Sequence, residues 1–151
     1  MTTGVRGVGV DIVDLGAFAA SLAEPGTRLT RAFSATERRQ CRERAESRGA
    51  RPGADPLARH LAARWAAKEA VVKAWSAALY GAPPPIAPDL LRWSEIETVC
   101  DNWGRPSVRL GGEVARQVAA TIGEGARWNV SLSHDGGSAI AFVVLEGPGV
   151  Q

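Results

Sequence analysis

DPLARHLAARWAAKEAVVKAWSAALY, residues 55–80, carries the longest helical pattern in the chain. Asp55 is a good N-cap, and Pro56 fits the first helical position, where its missing N–H costs nothing. Leu57, Leu61, Trp65, Val72, Trp75 and Leu79 fall on one stripe at helical spacing, the pattern of a helix with a core-facing side. Gly81 and Pro83-Pro84-Pro85 stop the run. The spacing predicts one long helix ending near Tyr80, its stripe turned to a core.

The flanking segments give that helix something to lie against. Val5 to Val13 is a short apolar run with small residues and is predicted to be a buried strand ending at or near Asp11. A short helix is expected over 15–23, closed by Pro25-Gly26. Ser34 or Thr36 can cap a second helix with Glu37 in its first turn and arginines beyond it. ESRGARPGA, residues 46–54, is predicted to be a mobile loop. Past the long helix, residues 96–100 and 107–110 read as the strands of a hairpin around DNWGRP, and 113–122 as an amphipathic helix bounded by glycines. Residues 128–134 alternate large and polar side chains, Asp135-Gly136-Gly137 supplies a turn, and 139–145 reads as a well-buried strand. With no internal repeat, the expectation is a single domain over 1–151. Its class is α+β, a mainly antiparallel sheet packed with one long helix and shorter helices.

Composition bounds the function classes. The 151 residues are 45% hydrophobic and 23% charged, an ordinary globular balance long enough to bury a core. No run of about 18 apolar residues offers a membrane span, and MTTGVRGVGVDIVDL lacks the regions of a secretory signal. A cytoplasmic protein is expected. Cys41 and Cys100 have neither a disulfide-framework nor a metal-ligand spacing and are expected to be reduced thiols. The net charge is only +2. Yet Arg28, Arg31, Arg38, Arg39, Arg42, Arg44, Arg48 and Arg51 crowd one segment, a patch that attracts nucleic acid, phosphorylated ligands or an acidic protein.

A few residues are not explained by a core. At about 100° per residue, Lys68 falls inside the apolar stripe between Leu61 and Trp75, where an unpaired ammonium is costly unless its stem snorkels outward. Glu69 and Lys73 sit at i and i+4 on the edge of the stripe, a spacing common in surface pairs. Asp11 interrupts the most strand-like run near the N-terminus, where a carboxylate needs a partner or a metal. Asp14 follows at the turn and can equally cap the next helix. His134 ends an alternating strand beside Ser131 and Ser133. There is no Gly-rich phosphate loop, zinc spacing or nucleophile elbow. The residues alone suggest magnesium and a phosphate, without naming a reaction.

GVGVDIVDL at 7–15, FSATERRQC at 33–41, ARWAAKEAVVKAW at 63–75, DNWGRPSVRL at 101–110 and NVSLSHDGGSAIAFVVLE at 129–146 together resemble the holo-acyl-carrier-protein synthase family, the small 4'-phosphopantetheinyl transferases. Order and spacing match over nearly the whole chain, and WAAKEAVVKAW is the most specific block. The resemblance implies the 4'-phosphopantetheinyl transferase fold and magnesium-dependent transfer of the phosphopantetheine arm of coenzyme A to a serine of an acyl carrier protein, as in fatty acid biosynthesis. It also implies a homotrimer with active sites between subunits. Residue by residue, Asp11 and Glu69 match the magnesium ligands, with Glu69 the candidate base. Lys73 matches a lysine near the coenzyme A diphosphate. Arg64 and Lys68 share the motif block and His134 matches a histidine near the nucleotide end, so the resemblance implies that all three, with Lys73, bind coenzyme A. The resemblance weakens in two places: residues 16–24 lack the basic side chains that family members often carry for docking, and SAALYGAPPP replaces a Gly-containing turn. Rival readings are the same transfer serving polyketide or peptide synthase carriers, and a non-enzymatic basic module gripping nucleic acid. The second leaves Asp11, Lys68 and the KEA block idle, so neither nucleic acid nor a membrane is an expected partner.

Overall fold

The computed structural model describes residues 3–47 and 56–148. The expected cap at Asp55, most of the predicted loop, and Arg48 and Arg51 of the basic patch lie outside them.

Strand β1, Thr3–Asp14, alternates glycine with larger residues, and that alternation decides its orientation. Gly7 and Gly9 face inward against helix α3, Pro56–Ala78. A Cβ on Gly7 would stand 2.0 Å from the Ala74 carbonyl oxygen, and one on Gly9 2.0 Å from that of Ala70. Only glycine permits so close an approach. Val5, Val8, Val10 and Ile12 therefore point away from the helix and are 49–65% exposed. The run read as a buried strand is buried on one face only.

β1 pairs antiparallel with the C-terminal strand β5, Ser138–Pro148, which pairs antiparallel with β4, Arg127–Asp135, giving a sheet of order β1-β5-β4. Ala139, Ala141, Val143 and Leu145 of β5 are fully buried beneath α3, whereas Ile140 and Phe142 share the outer face with the valines of β1. The hairpin of β2, Ile96–Cys100, and β3, Pro106–Leu110, forms a separate two-stranded sheet. Helices α1, Leu15–Ala23, α2, Ala35–Ser47, and α4, Gly112–Thr121, complete the α+β fold. α2 continues through Glu46 and Ser47, which the sequence pattern assigns to the loop.

α3 is buried over most of its circumference. The leucine–tryptophan stripe packs as expected at Leu61 and Trp75, but the deepest face is Ala62, Ala66, Ala67, Ala70 and Ala74, all at zero exposure. Alanine is the side chain that lets a helix sit directly on a glycine-bearing strand. One core lies between α3, the sheet, Ile96 and α4; a second gathers Phe18, Phe33, Cys41, Leu61 and Ala139 at the other end of the helix. Among the described residues no helix is long and apolar enough to cross a membrane. Both cysteines are free, and burial pushes the Cys41 thiol up to about 11, so it stays protonated.

Candidate active site

Asp11 lies on the inward face of β1, the face that Gly7 and Gly9 bring onto α3. Glu69 and Lys73 sit one turn apart on the adjoining edge of that helix. The three meet although 58 residues separate Asp11 from Glu69. Lys73 Nζ donates to Asp11 Oδ1 and to the Val10 carbonyl, both at 3.0 Å. Asp14, one short turn further on, accepts the Ala17 N–H at 2.7 Å, so it caps α1 and stays out of the site.

Asp11 and Glu69 are both acceptors when ionised. Asp11 Oδ2 is buried and has no hydrogen-bond partner. Burial first, then the neighbouring Asp11, raise the Glu69 carboxyl from 4.5 to about 7, against the opposing pull of Lys73. Such a pair is satisfied by a shared proton or by a cation. Two carboxylates, one with an oxygen lacking any donor, fit a hard divalent ion that takes one or two protein oxygens and fills its remaining positions with water and phosphate. Among the described residues no third histidine, cysteine or acid converges on one point, the arrangement a closed metal cage would need.

The other sequence candidates do not join this trio. Lys68 is fully buried and makes its contacts with other elements than β1. Its Nζ donates to Glu37 Oε1 at 2.6 Å, to the Trp93 carbonyl at 3.0 Å and to the Ile96 carbonyl. Burial pulls this ammonium below its ordinary range while Glu37 opposes the shift. Lys68, a coenzyme A-binding candidate by resemblance, has all three donors of its ammonium engaged inside the protein. Snorkelling fails. Arg64 is 3% exposed, donating to the His60 carbonyl and to Cys100 Sγ at 3.3 Å each, with no carboxylate within ion-pair distance among the described residues and its Nε unsatisfied. Cys100 lines a polar pocket of about 490 Å³ between α2 and the hairpin turn, so Arg64 stands directly behind that wall. His134 is exposed at the end of β4 and separated from β1 by β5, roughly 10 Å across the sheet.

Two features escape a reading of the sequence alone. Glu37 is legible there merely as a first-turn acid, although Ser34-x-x-Glu37 is a capping box. Glu37 N–H donates to Ser34 Oγ, and Ser34 N–H donates back to Glu37 Oε1, at 3.1 Å each. An apolar pocket of about 210 Å³, lined by Val72, Trp75, Ser76 and Leu79 of α3 and by Pro83–Ile86 and Leu91, also has no local signal. Val72 and Ser76 follow Glu69 by one and two turns, so this pocket lies further along the same helix from the carboxylates.

The family model described as the 4'-phosphopantetheinyl transferase superfamily matches residues 7–143. The chain belongs to that superfamily. Among transferases of this superfamily, it is similar to a Corynebacterium glutamicum protein named holo-[acyl-carrier-protein] synthase, with 46% identity over 91% of this chain and 96% of that one. Its fold is similar to the Chronobacterium ammoniagenes ACPS-CoA complex, with a TM-score of 0.84 and 41% identity over 98% of this chain and 99% of the other. It is also similar to the Mycobacterium tuberculosis acyl carrier protein synthase, with a TM-score of 0.71 and 38% identity, covering 96% of this chain and all of that one.

Proposed function

We propose that this chain transfers the 4'-phosphopantetheine arm of coenzyme A to a serine of an apo acyl carrier protein, with magnesium held by Asp11 and Glu69. The observation that carries the reading is the Asp11–Glu69 pair, with its unsatisfied buried oxygen and Lys73 beside it. When bound, magnesium would supply positive charge to the coenzyme A diphosphate. Serine Oγ forms a bond to the phosphorus bearing the pantetheine arm, the bond from that phosphorus to the bridging oxygen breaks, and adenosine 3',5'-bisphosphate leaves with the electron pair. Glu69, the candidate base by its match to the family motif, would take the serine proton. The Lys73 ammonium, more than half exposed, would stabilise the charge that grows on the 5'-phosphate of the leaving adenosine 3',5'-bisphosphate.

The apolar pocket continuing along α3 from Glu69 suits the arm. Arg64, a buried cation with no carboxylate partner among the described residues, has hydrogen-bonding capacity left for a nucleotide phosphate, and His134, too far across the sheet to join Asp11, suits a nucleotide end bound between subunits. The exposed apolar face of Val8, Val10, Ile12, Ile140 and Phe142 supports assembly with further copies, here as a homotrimer. On α2, exposed Arg38, Arg39 and Arg42, with Arg28 and Arg31 before the helix, supply the charge an acidic carrier would meet.

Intact-mass measurement of an apo acyl carrier protein incubated with this protein and coenzyme A tests the reading. A gain of one phosphopantetheine group only with magnesium is expected. An unchanged mass with several carriers overturns the proposed reaction, and a gain that persists without divalent ions overturns the metal.

A further inference from the structure

Lys68 and Glu37 form a fully buried ion pair whose remaining hydrogen bonds all go to backbone. Glu37 Oε2 accepts the Thr98 N–H at 3.1 Å, and Oε1 accepts that of Ser34; Lys68 Nζ donates to the carbonyls of Trp93 and Ile96. Two side chains thus tie the start of α2, the turn Trp93–Glu95 and the first strand of the hairpin to α3. A buried pair of this kind is weak evidence for stability, because apolar residues of similar volume commonly serve as well. Its geometry indicates another use. The segment 82–95 has no sheet or long helix to hold it, yet Ile86 and Leu91 within it form the outer wall of the apolar pocket further along α3 from Glu69. Trp93, whose carbonyl Lys68 holds, rests its ring 4.9 Å from that of Trp65, one turn before Glu69.

We propose that the Glu37–Lys68 pair is a positioning pair, which sets the distance between α3 and the 86–96 segment and so the width of the pocket that receives the pantetheine arm. The proposal rests on the transferase reading above. A wall displaced by about 1 Å forfeits roughly a quarter to a half of its dispersion contact with the arm, a loss shared by ground and transition states that weakens binding.

The test is the double variant Glu37→Gln/Lys68→Met, which leaves no unpaired charge inside. Its affinity and KM for coenzyme A are expected to weaken about tenfold or more, with kcat at saturation within about twofold of wild type. Calorimetric affinity for adenosine 3',5'-bisphosphate, which lacks the arm, should be unchanged. Leu145→Ala, in the three-stranded sheet, is the control for lost stability and should lower Tm without this split. Should the double variant not fold, Glu37→Asp keeps the charge and shortens the link, and the same split is expected in smaller measure. Wild-type affinities for both ligands, equal losses for both, or a fall in kcat at unchanged KM would overturn the positioning role. If the wild-type chain binds coenzyme A but never modifies a carrier, the reaction assignment falls, while the binding comparison still decides the pair.

Discussion

At the scale of single residues, Glu69 is the group whose environment says most about its chemistry. Its carboxyl titrates near 7 instead of 4.5, chiefly because it is partly buried and secondarily because Asp11 stands against it. Between those two values the folded chain holds a proton that the unfolded chain has released, so stability falls as pH rises through this window. In metal-free protein, Glu69→Gln should therefore raise Tm relative to wild type at pH 8, with the gain shrinking toward zero near pH 4.5; a gain independent of pH would contradict the assignment. At the proposed magnesium site, protons and the ion would compete for the same oxygens. Magnesium affinity measured calorimetrically should fall below about pH 7, by up to about tenfold per unit for one competing proton. Asp11→Ala should leave a folded protein with turnover reduced by at least about 100-fold, checked by circular dichroism and the intact-mass assay together. Normal turnover would remove Asp11 from the metal.

At the scale of elements, the site depends on how closely β1 approaches α3. Gly9 faces the helix two residues before Asp11, and any Cβ there would collide with the Ala70 carbonyl, which has no side-chain freedom to yield. Gly9→Ala should cost about 1–3 kcal/mol or more through forced separation of strand and helix. Chemical denaturation should show the loss, and magnesium affinity should fall with it because Asp11 is carried away from Glu69. On α2 the capping box and the ion pair occupy the inner side, leaving Arg38, Arg39 and Arg42 in solvent. Reversing the charge of Arg38 and Arg39 should raise KM for the carrier and flatten its dependence on salt, with KM for coenzyme A unchanged. A change confined to coenzyme A would place these arginines at the nucleotide instead.

For the molecule as a whole, the outer face of the three-stranded sheet matters most. Val8, Val10, Ile12, Ile140 and Phe142 come from two paired strands and form one apolar surface. Such a face is what a subunit interface covers. If the proposed homotrimer forms through this face and neighbouring copies complete each site, Phe142→Asp, at its centre, should give monomers in sedimentation equilibrium and reduce transfer. A wild-type chain that sediments as a monomer, or a monomeric variant with full activity, would separate assembly from catalysis.

Much of this is legible along the chain because it is local. Helix α3, the two hairpins, the Asp14 turn and the i, i+4 spacing of Glu69 and Lys73 follow from periodicity, caps and turn residues within a few positions of one another. The pairing of Asp11 with Glu69 is expected only through resemblance to a family, since no local pattern joins residues 58 apart. Tertiary structure alone decided the fate of Lys68. Helical spacing puts it on the apolar stripe, but the partner that makes burial tolerable, Glu37, lies 31 residues away on another helix. It also decided which side of β1 is buried: alternation marks two faces, and only the approach of α3 to the glycines shows that the larger side chains turn outward. Sequence by itself determined which residues share a face, because that is set by backbone geometry. The structure determined which face finds a partner, because burial and charge are settled by contacts between segments distant in the chain.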